Sequence, residues 1–212
     1  MKNFITTLFL LFIGLTALSQ NPSKIIESFN KAQTYTSEGK FDLALIEYKR
    51  AYEYGDKVQS PFQLGELYYS GLGTQKNVPE AFKWYKISAD NGNPQGAYFV
   101  AYSYHNGEGT VQDYSKAIEY YYKASDIVPN ANLSLGLLIR EGLGEMKNEE
   151  KAYKYIKKGA EMGSPDAQFV LAHGYLMGYG RLPKNRQLAI DWMKKSAEQG
   201  NINAIIWLND NK

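Results

Sequence analysis

The sequence predicts an all-α chain built as a stack of helix-turn-helix repeats, and three observations predict it. The pattern Gly-x-Gly returns at Gly71/Gly73, Gly107/Gly109, Gly142/Gly144 and Gly178/Gly180, in steps of 36, 35 and 36 residues. A fixed period of about 20 to 50 residues marks a stacked repeat array. Between those glycines, small and apolar residues recur at i, i+4 and i+7, which is one stripe of a helix. Ahead of each stripe stands an Asn or Asp, residue types whose side-chain oxygen caps a helix N-terminus. Arrays of this kind act by recognition along a surface.

The chain opens with a pattern that predicts a signal peptide over residues 1–19. Lys2 gives a positive start, Phe4 to Leu18 is apolar, and Ala17-Leu18-Ser19 offers small residues where a signal peptidase reads. Gln20 is then the first mature residue. The apolar run is short for a membrane span, which needs about 20 residues. No cysteine follows it, so the pattern is not that of a bacterial lipoprotein. The expectation is an exported protein, periplasmic or extracellular, with no stable membrane insertion after cleavage.

Residues 20–57 read as one helix pair with a short turn. Tyr35, Gly39, Phe41, Ala44, Tyr48 and Ala51 keep the large-small alternation but lack Gly-x-Gly, and Gly55-Asp56 closes the pair. Residues 58–201 hold four longer units, at about 58–93, 94–129, 130–164 and 165–201. The first helix of each carries Leu64-Gly65, Val100-Ala101, Leu135-Gly136 or Leu171-Ala172, with Tyr68, Tyr104, Ile139 or Tyr175 one turn on. The small residue lets a neighbouring backbone approach and the large one fills the gap. The glycine pair follows three residues later, ending the helix at positive φ. Asn77, Asp113, Asn148 or Asn185 then caps the second helix. That helix carries Ala81, Ala117, Ala152 and Ala189; then Tyr85, Tyr121, Ile156 and Met193; then Ser88, Ala124, Gly159 and Ser196. Trp84, Tyr120, Tyr155 and Trp192 lie beside this stripe. Gly92-Asn93, Gly163-Ser164 and Gly200-Asn201 stop three units, and Val128-Pro129 stops the other. Residues 202–212 read as a capping half-unit, with Ile202, Ile205, Ile206 and Leu208 on one apolar face over the last open core.

Across residues 58–201 the Leu-Gly-x-x-Tyr pair, the Gly-x-Gly loop, the Ala-x-x-Trp-Tyr helix and the closing glycine recur in register. In this the chain resembles the Sel1-like repeat (SLR) family, a subclass of the tetratricopeptide-type (TPR-like) helical repeats. The 20–57 pair resembles an ordinary tetratricopeptide unit. The resemblance implies an α/α superhelix, or solenoid, and an adaptor role in which the first helices line a concave groove.

Composition narrows the function. The net charge is +2, and removing Lys2 leaves basic and acidic side chains nearly equal, so no basic footprint for nucleic acid exists. With no cysteine there are no disulfides, no thiol catalysis and no thiolate metal sites. The 18 tyrosines are read mainly as core, with roughly a quarter exposed, where they suit binding surfaces. His105 and His173 fall two units apart, roughly 20 Å at the usual helix spacing, which is too far to share a metal. No metal and no cofactor are expected. Ser28-Phe29-Asn30-Lys31 matches the Ser-x-x-Lys of penicillin-recognising enzymes, but the partner motifs are absent. The Gly-x-Gly pairs lack the preceding strand and third glycine of a nucleotide loop. Asn132-Leu133-Ser134 fits a glycosylation sequon. Lys157-Lys158 and Lys194-Lys195 read as solvated faces. No catalytic residue is assigned.

The first helices carry three rows spaced i, i+4 and i+7: Phe62, Tyr98, Leu133 and Phe169; Glu66, Tyr102, Leu137 and His173; Tyr69, His105, Arg140 and Leu176. The first row suits packing between units. The other two mix aromatic, basic and acidic residues as an interface does. Tyr69, Tyr98, Tyr102, His105, Arg140 and His173 are therefore the candidate residues for binding another protein or peptide. The sequence reading is an exported, non-enzymatic adaptor or regulator in the bacterial envelope. A cell-wall or β-lactam hydrolase of the same repeat family is the alternative, and a scaffold without a single ligand is a third reading.

Overall fold

The computed structural model of the chain describes residues 21–211. The signal-peptide pattern of residues 1–19 and the cleavage point before Gln20 lie outside them. Every regular element among the described residues is helical. The chain forms two compact units that meet in sequence between Gly92 and Asn93.

The first unit contains α1 (Pro22–Ser37), α2 (Phe41–Glu53), α3 (Gln59–Ser70) and α4 (Val78–Asp90). Helices α1 and α2 pack as one antiparallel pair and α3 and α4 as another. Ala32, Ala44, Tyr48, Leu64 and Leu67 form its core, with Phe29, Tyr35, Phe41, Leu45 and Trp84 packed against them. The entry to α3 is held by Asp56, whose carboxylate accepts from the N–H groups of Val58, Gln59 and Ser60 and from the Ser60 hydroxyl. Burial alone would raise the Asp56 pKa, but these donors outweigh it and hold the carboxyl below its ordinary value.

The second unit contains α5 (Pro94–Asn106), α6 (Tyr114–Ala124), α7 (Pro129–Glu141), α8 (Glu149–Glu161), α9 (Pro165–Met177), a 3-10 turn (Tyr179–Arg181), α10 (Arg186–Glu198) and α11 (Ile202–Asp210). Pairs α5/α6, α7/α8 and α9/α10 repeat the same hairpin. Near its C-terminal end the core is Tyr153, Ile156, Ala160, Ala167, Leu171, Ala172, Tyr175, Ala189, Met193 and Ala204.

One loop device recurs in both units. The first glycine of each pair, Gly71, Gly107, Gly142 or Gly178, is the helix C-cap in the left-handed region, as at Gly142 with φ 75°. Asn77, Asp113, Asn148 and Asn185 then cap the second helices by accepting the N–H three residues on, at 2.9–3.0 Å. Their own N–H groups donate back to the carbonyls of Tyr68, Tyr104, Ile139 and Tyr175. The cap residue therefore closes the loop onto the first helix while starting the second.

The two glycines of each pair divide the work, and the first ends the helix. Gly73, Gly109 and Gly144 stand in the loop two residues past the cap, at φ 70°, 73° and 82°, and Gly180 lies inside the 3-10 turn at φ 59°. One left-handed residue already stops a helix, so the second glycine has a different duty. A Cβ on Gly73 would overlap the Phe41 carbonyl at the start of α2, and one on Gly144 would lie 2.5 Å from the Tyr114 carbonyl at the start of α6. These two loops cross a preceding helix at backbone contact, where only glycine fits.

Two expectations change. Helix α11 does not pack through its isoleucines. Ala204 is buried and Trp207 and Leu208 meet the core, while Ile202 and Ile206 are 70% and 53% exposed and Ile205 also faces outward. Register decides this rather than apolar count. Ala204 stands three residues after its N-cap Asn201, as Ala167 does after Ser164, and the small side chain marks the close approach. The tyrosines are also less exposed than expected. Tyr102 and Tyr179 alone face outward, and the others are buried or half-buried.

Candidate functional site

The Leu64, Val100, Leu135 and Leu171 row and the second-helix alanines have no exposed surface. The twelve positions of the three first-helix rows differ: none is buried, and Tyr102 is 37% exposed. The face predicted from sequence is thus half-buried in each unit, and Tyr102 is the exposed position among the twelve. Tyr69 belongs to the first unit. Tyr98, Tyr102, His105, Arg140 and His173 belong to the second, on α5, α7 and α9.

Within the second unit, buried Tyr121 on α6 ties several of these residues together. Its ring lies 5.9 Å from that of Tyr98 and its hydroxyl is 3.3 Å from His105 Nδ1. Ser134 on α7 also lies beside that hydroxyl. Burial pushes the Tyr121 pKa far up, so the group stays a neutral hydroxyl. His105 also packs edge-on against Tyr114. On α7, Arg140 donates to Glu141 at 3.0 Å and lies beside the Tyr153 hydroxyl. Burial would lower the Arg140 pKa, and its interactions with Glu141 and Tyr153 more than offset it. On α9, His173 packs edge-on against Phe169 with ring centroids 4.7 Å apart. Burial lowers the pKa of both His105 and His173, so both are neutral at pH 7. The face offers neutral aromatic and imidazole surface, one fixed guanidinium and one exposed tyrosine. Such groups recognise another polypeptide by stacking and directed hydrogen bonds.

The first unit places Tyr69 beside two residues of the same face that the sequence reading left out of its binding set. Phe62 packs on the Tyr85 ring at 5.9 Å, and the Tyr85 hydroxyl donates to Glu66. The signal for this was present. Tyrosine at the second-helix core position is long enough to carry its hydroxyl across the first helix when that helix has glycine there. A Cβ on Gly65 would lie 2.5 Å from the Tyr85 ring.

Ser28 is nearly buried, and Lys31 donates to Glu27 at 2.6 Å rather than to Ser28. Asn132 of the sequon is fully buried and donates to the Ser125 carbonyl, so that amide is closed to modification. Among the described residues no helix is long and apolar enough to cross a membrane.

The Sel1 repeat model matches residues 62–93, 94–126, 129–164 and 165–201. Among curated proteins, the chain is 30% identical over 145 residues to a chitin synthase regulator of Saccharomyces cerevisiae, covering 65% of this chain and 20% of that protein. It is 31% identical over 122 residues to protein sel-1 homolog 2 of Rattus norvegicus, covering 57% and 17%. The chain therefore spans about a fifth of the length of these relatives. Among solved structures, a protective antigen of uropathogenic Escherichia coli with an SLR fold aligns with TM-score 0.76 and 28% identity, over 86% of this chain and 39% of the other. A Sel1 repeat protein from Oxalobacter formigenes aligns with TM-score 0.72 and 33% identity, over 77% and 65%.

Proposed function

Because the chain belongs to the Sel1 repeat family, whose members generally mediate protein–protein interaction, we propose that it is an exported, non-enzymatic adaptor or regulator of the bacterial envelope. Its first-helix face captures a partner protein or peptide. Tyr98, Tyr102, His105, Arg140 and His173 bind the partner in the second unit, and Tyr69 does so in the first. The observation that carries this reading is Tyr102. It is an exposed tyrosine in the middle of a helix whose opposite face is closed, flanked by half-buried Tyr98 and His105. Aromatic and Arg side chains at such places dominate interface energies. The yeast relative is a chitin synthase regulator, which supports a regulatory role over a catalytic one. Export rests on Lys2, the Phe4 to Leu18 run and Ala17-x-Ser19.

A photo-crosslinking residue at position 102, activated in intact cells, tests the face. One discrete protein adduct is expected, absent when the probe stands at Lys157 on the solvated side of α8. Equal adducts from both positions would place the partner elsewhere. N-terminal sequencing of the exported protein tests the route, with Gln20 as the expected first residue. An intact Met1 on a cytosolic pool would overturn it.

A further inference from the structure

We propose that the first-helix face of the first unit holds a binding site for an arginine side chain of a partner polypeptide, built from Glu66, Phe62, Tyr69 and Tyr85. The proposal rests on the reading that this face binds a polypeptide, and it names one feature of that polypeptide.

Gly65 makes the site possible. The missing side chain lets the Tyr85 ring lie across α3, where a Cβ would meet it at 2.5 Å. The ring is 2% exposed, yet its hydroxyl reaches the far side of the helix and donates to Glu66 Oε1. That bond fixes the carboxylate rather than leaving it to swing in solvent. Phe62 and Tyr69 stand one turn to either side of Glu66 on the same helix face. Phe62 also packs on Tyr85, so three aromatic residues share this stretch of the face with the carboxylate.

Among the described residues this carboxylate forms no ion pair. Three other half-buried or buried glutamates hold one: Glu47 pairs with Arg50, Glu80 with Lys83 and Glu145 with Lys151. Glu66 takes only the Tyr85 hydroxyl among the described residues. Its row carries Tyr102, Leu137 and His173 at the equivalent positions, so the acid is particular to this repeat. A fixed, half-buried carboxylate beside aromatic faces is complementary to a cation that can both stack and donate. Arginine does both, since its planar guanidinium lies on a ring while its N–H fork meets an oxygen. The molecule contains a mimic of half this contact. The ammonium of Lys76 sits 5.2 Å from the Tyr69 ring centre. A cation on that ring is therefore already compatible with the local field.

The experiment is an NMR titration of the isotope-labelled full chain with the pentapeptide acetyl-Gly-Gly-Arg-Gly-Gly-amide. The comparison peptide replaces arginine by citrulline, which keeps the shape and loses the charge. Saturable shifts centred on Glu66 and Tyr69 are expected with the arginine peptide. Affinity should fall about tenfold or more with the citrulline peptide, as expected for losing a charge-assisted bond. Glu66→Gln keeps an acceptor for Tyr85 and should show the same loss with an unchanged melting curve. Should that variant melt early, Tyr69→Leu serves as the second variant and should also weaken the arginine peptide. No binding at millimolar peptide, equal binding of both peptides, or unchanged affinity in Glu66→Gln each overturns the proposal. The titration uses no natural partner, so it can fail while crosslinking from position 102 succeeds, and the reverse.

Discussion

Tyr121 and Ile156 occupy the same place in successive repeats of the second unit, on α6 and α8. Both are fully buried, and the first helix of each repeat has a small residue at the equivalent position, Ala101 and Gly136. They differ by a hydroxyl. Tyr121 extends through the pair and presents its oxygen to His105 and Ser134 on the open face. Ile156 stops inside, 2.6 Å from where a Cβ on Gly136 would be, and the face above it carries Leu133 and Leu137. The first unit repeats the tyrosine case, with Tyr85 reaching Glu66. A buried hydroxyl needs a partner, so the choice of core residue dictates where the outer face is polar. The repeat positions are alike in packing and unlike in what they project.

The largest way to break this comparison is to empty the tyrosine site. Tyr121→Ala removes a whole buried aromatic ring and should cost on the order of 3–5 kcal/mol, as for other large aromatic truncations. Tyr121→Phe removes the hydroxyl alone, and His105 and Ser134 are half-buried and can turn to water. It should cost about 0.5–1.5 kcal/mol. Chemical denaturation of both variants checks the split. Equal losses would mean the ring contributes little beyond its hydroxyl, and the comparison would fail.

A sharper test converts one repeat into the other. Ile156→Tyr introduces a ring and a hydroxyl that faces Leu137, where the first unit has Glu66. Overpacking of a filled core typically costs about 1–3 kcal/mol, and the orphan hydroxyl adds to it. Adding Leu137→Glu restores the Tyr85–Glu66 arrangement. The double variant should recover part of the loss, with a coupling of roughly 0.5–3 kcal/mol in a double-mutant cycle. Strict additivity would show that the face and the core are independent.

Much of this was legible in the sequence, and the limits have physical causes. The Gly-x-Gly period, the Asn and Asp caps and the small second-helix row were readable because each answers to one local rule of backbone or capping geometry. The first-helix rows were readable as faces because helical spacing fixes direction. The duty of the second glycine was not readable, because at Gly73 it is set by Phe41, a residue of another helix pair. What single positions bond to was hidden for a different reason, because it depends on how the two helices of one pair cross. The reach of Tyr85 to Glu66 depends on the angle at which two helices cross, and Arg140 meets Tyr153 from a neighbouring second helix. The isoleucines of α11 misled in a related way. Three apolar residues at helical spacing made a stripe, but close packing follows the small residue Ala204 in register with Ala167.

Acid should distinguish the tyrosine repeat next. Burial lowers the His105 pKa in the folded protein below its ordinary 6.5. The unfolded chain therefore binds more protons between those two values, and stability rises with pH across that window. Above about 6.5 the histidine contributes no pH dependence. As pH falls below it, the folded state is penalised, and the penalty levels off once pH passes the folded value. His173 follows the same sign for the same cause. Melting temperatures of the wild type and of His105→Gln between about pH 5 and 7.5 should converge toward acid, because the variant lacks the penalty. Parallel curves would mean that His105 is not desolvated.

The smallest effect on stability should come from Tyr102, and there the comparison turns into a statement about binding. Tyr102 shares its row with Glu66, Leu137 and His173. Glu66 is held by a buried hydroxyl and His173 by Phe169, whereas Tyr102 is exposed. Exposed substitutions away from caps and cores usually shift stability within about 0.5 kcal/mol, while a central interface aromatic commonly costs about 2 kcal/mol or more of binding when truncated. Tyr102→Ala should therefore leave the melting curve nearly unchanged and weaken partner capture by more than tenfold. Arg140→Ala should weaken capture too, with a visible stability loss because Glu141 loses a bond and Tyr153 loses the guanidinium beside it. If Tyr102→Ala unfolds the chain, the ring is structural and the open face is smaller than drawn. If the variant folds and still captures the partner at full strength, the binding energy lies with residues anchored to the core, such as His105 and Arg140, and the exposed ring is only rim.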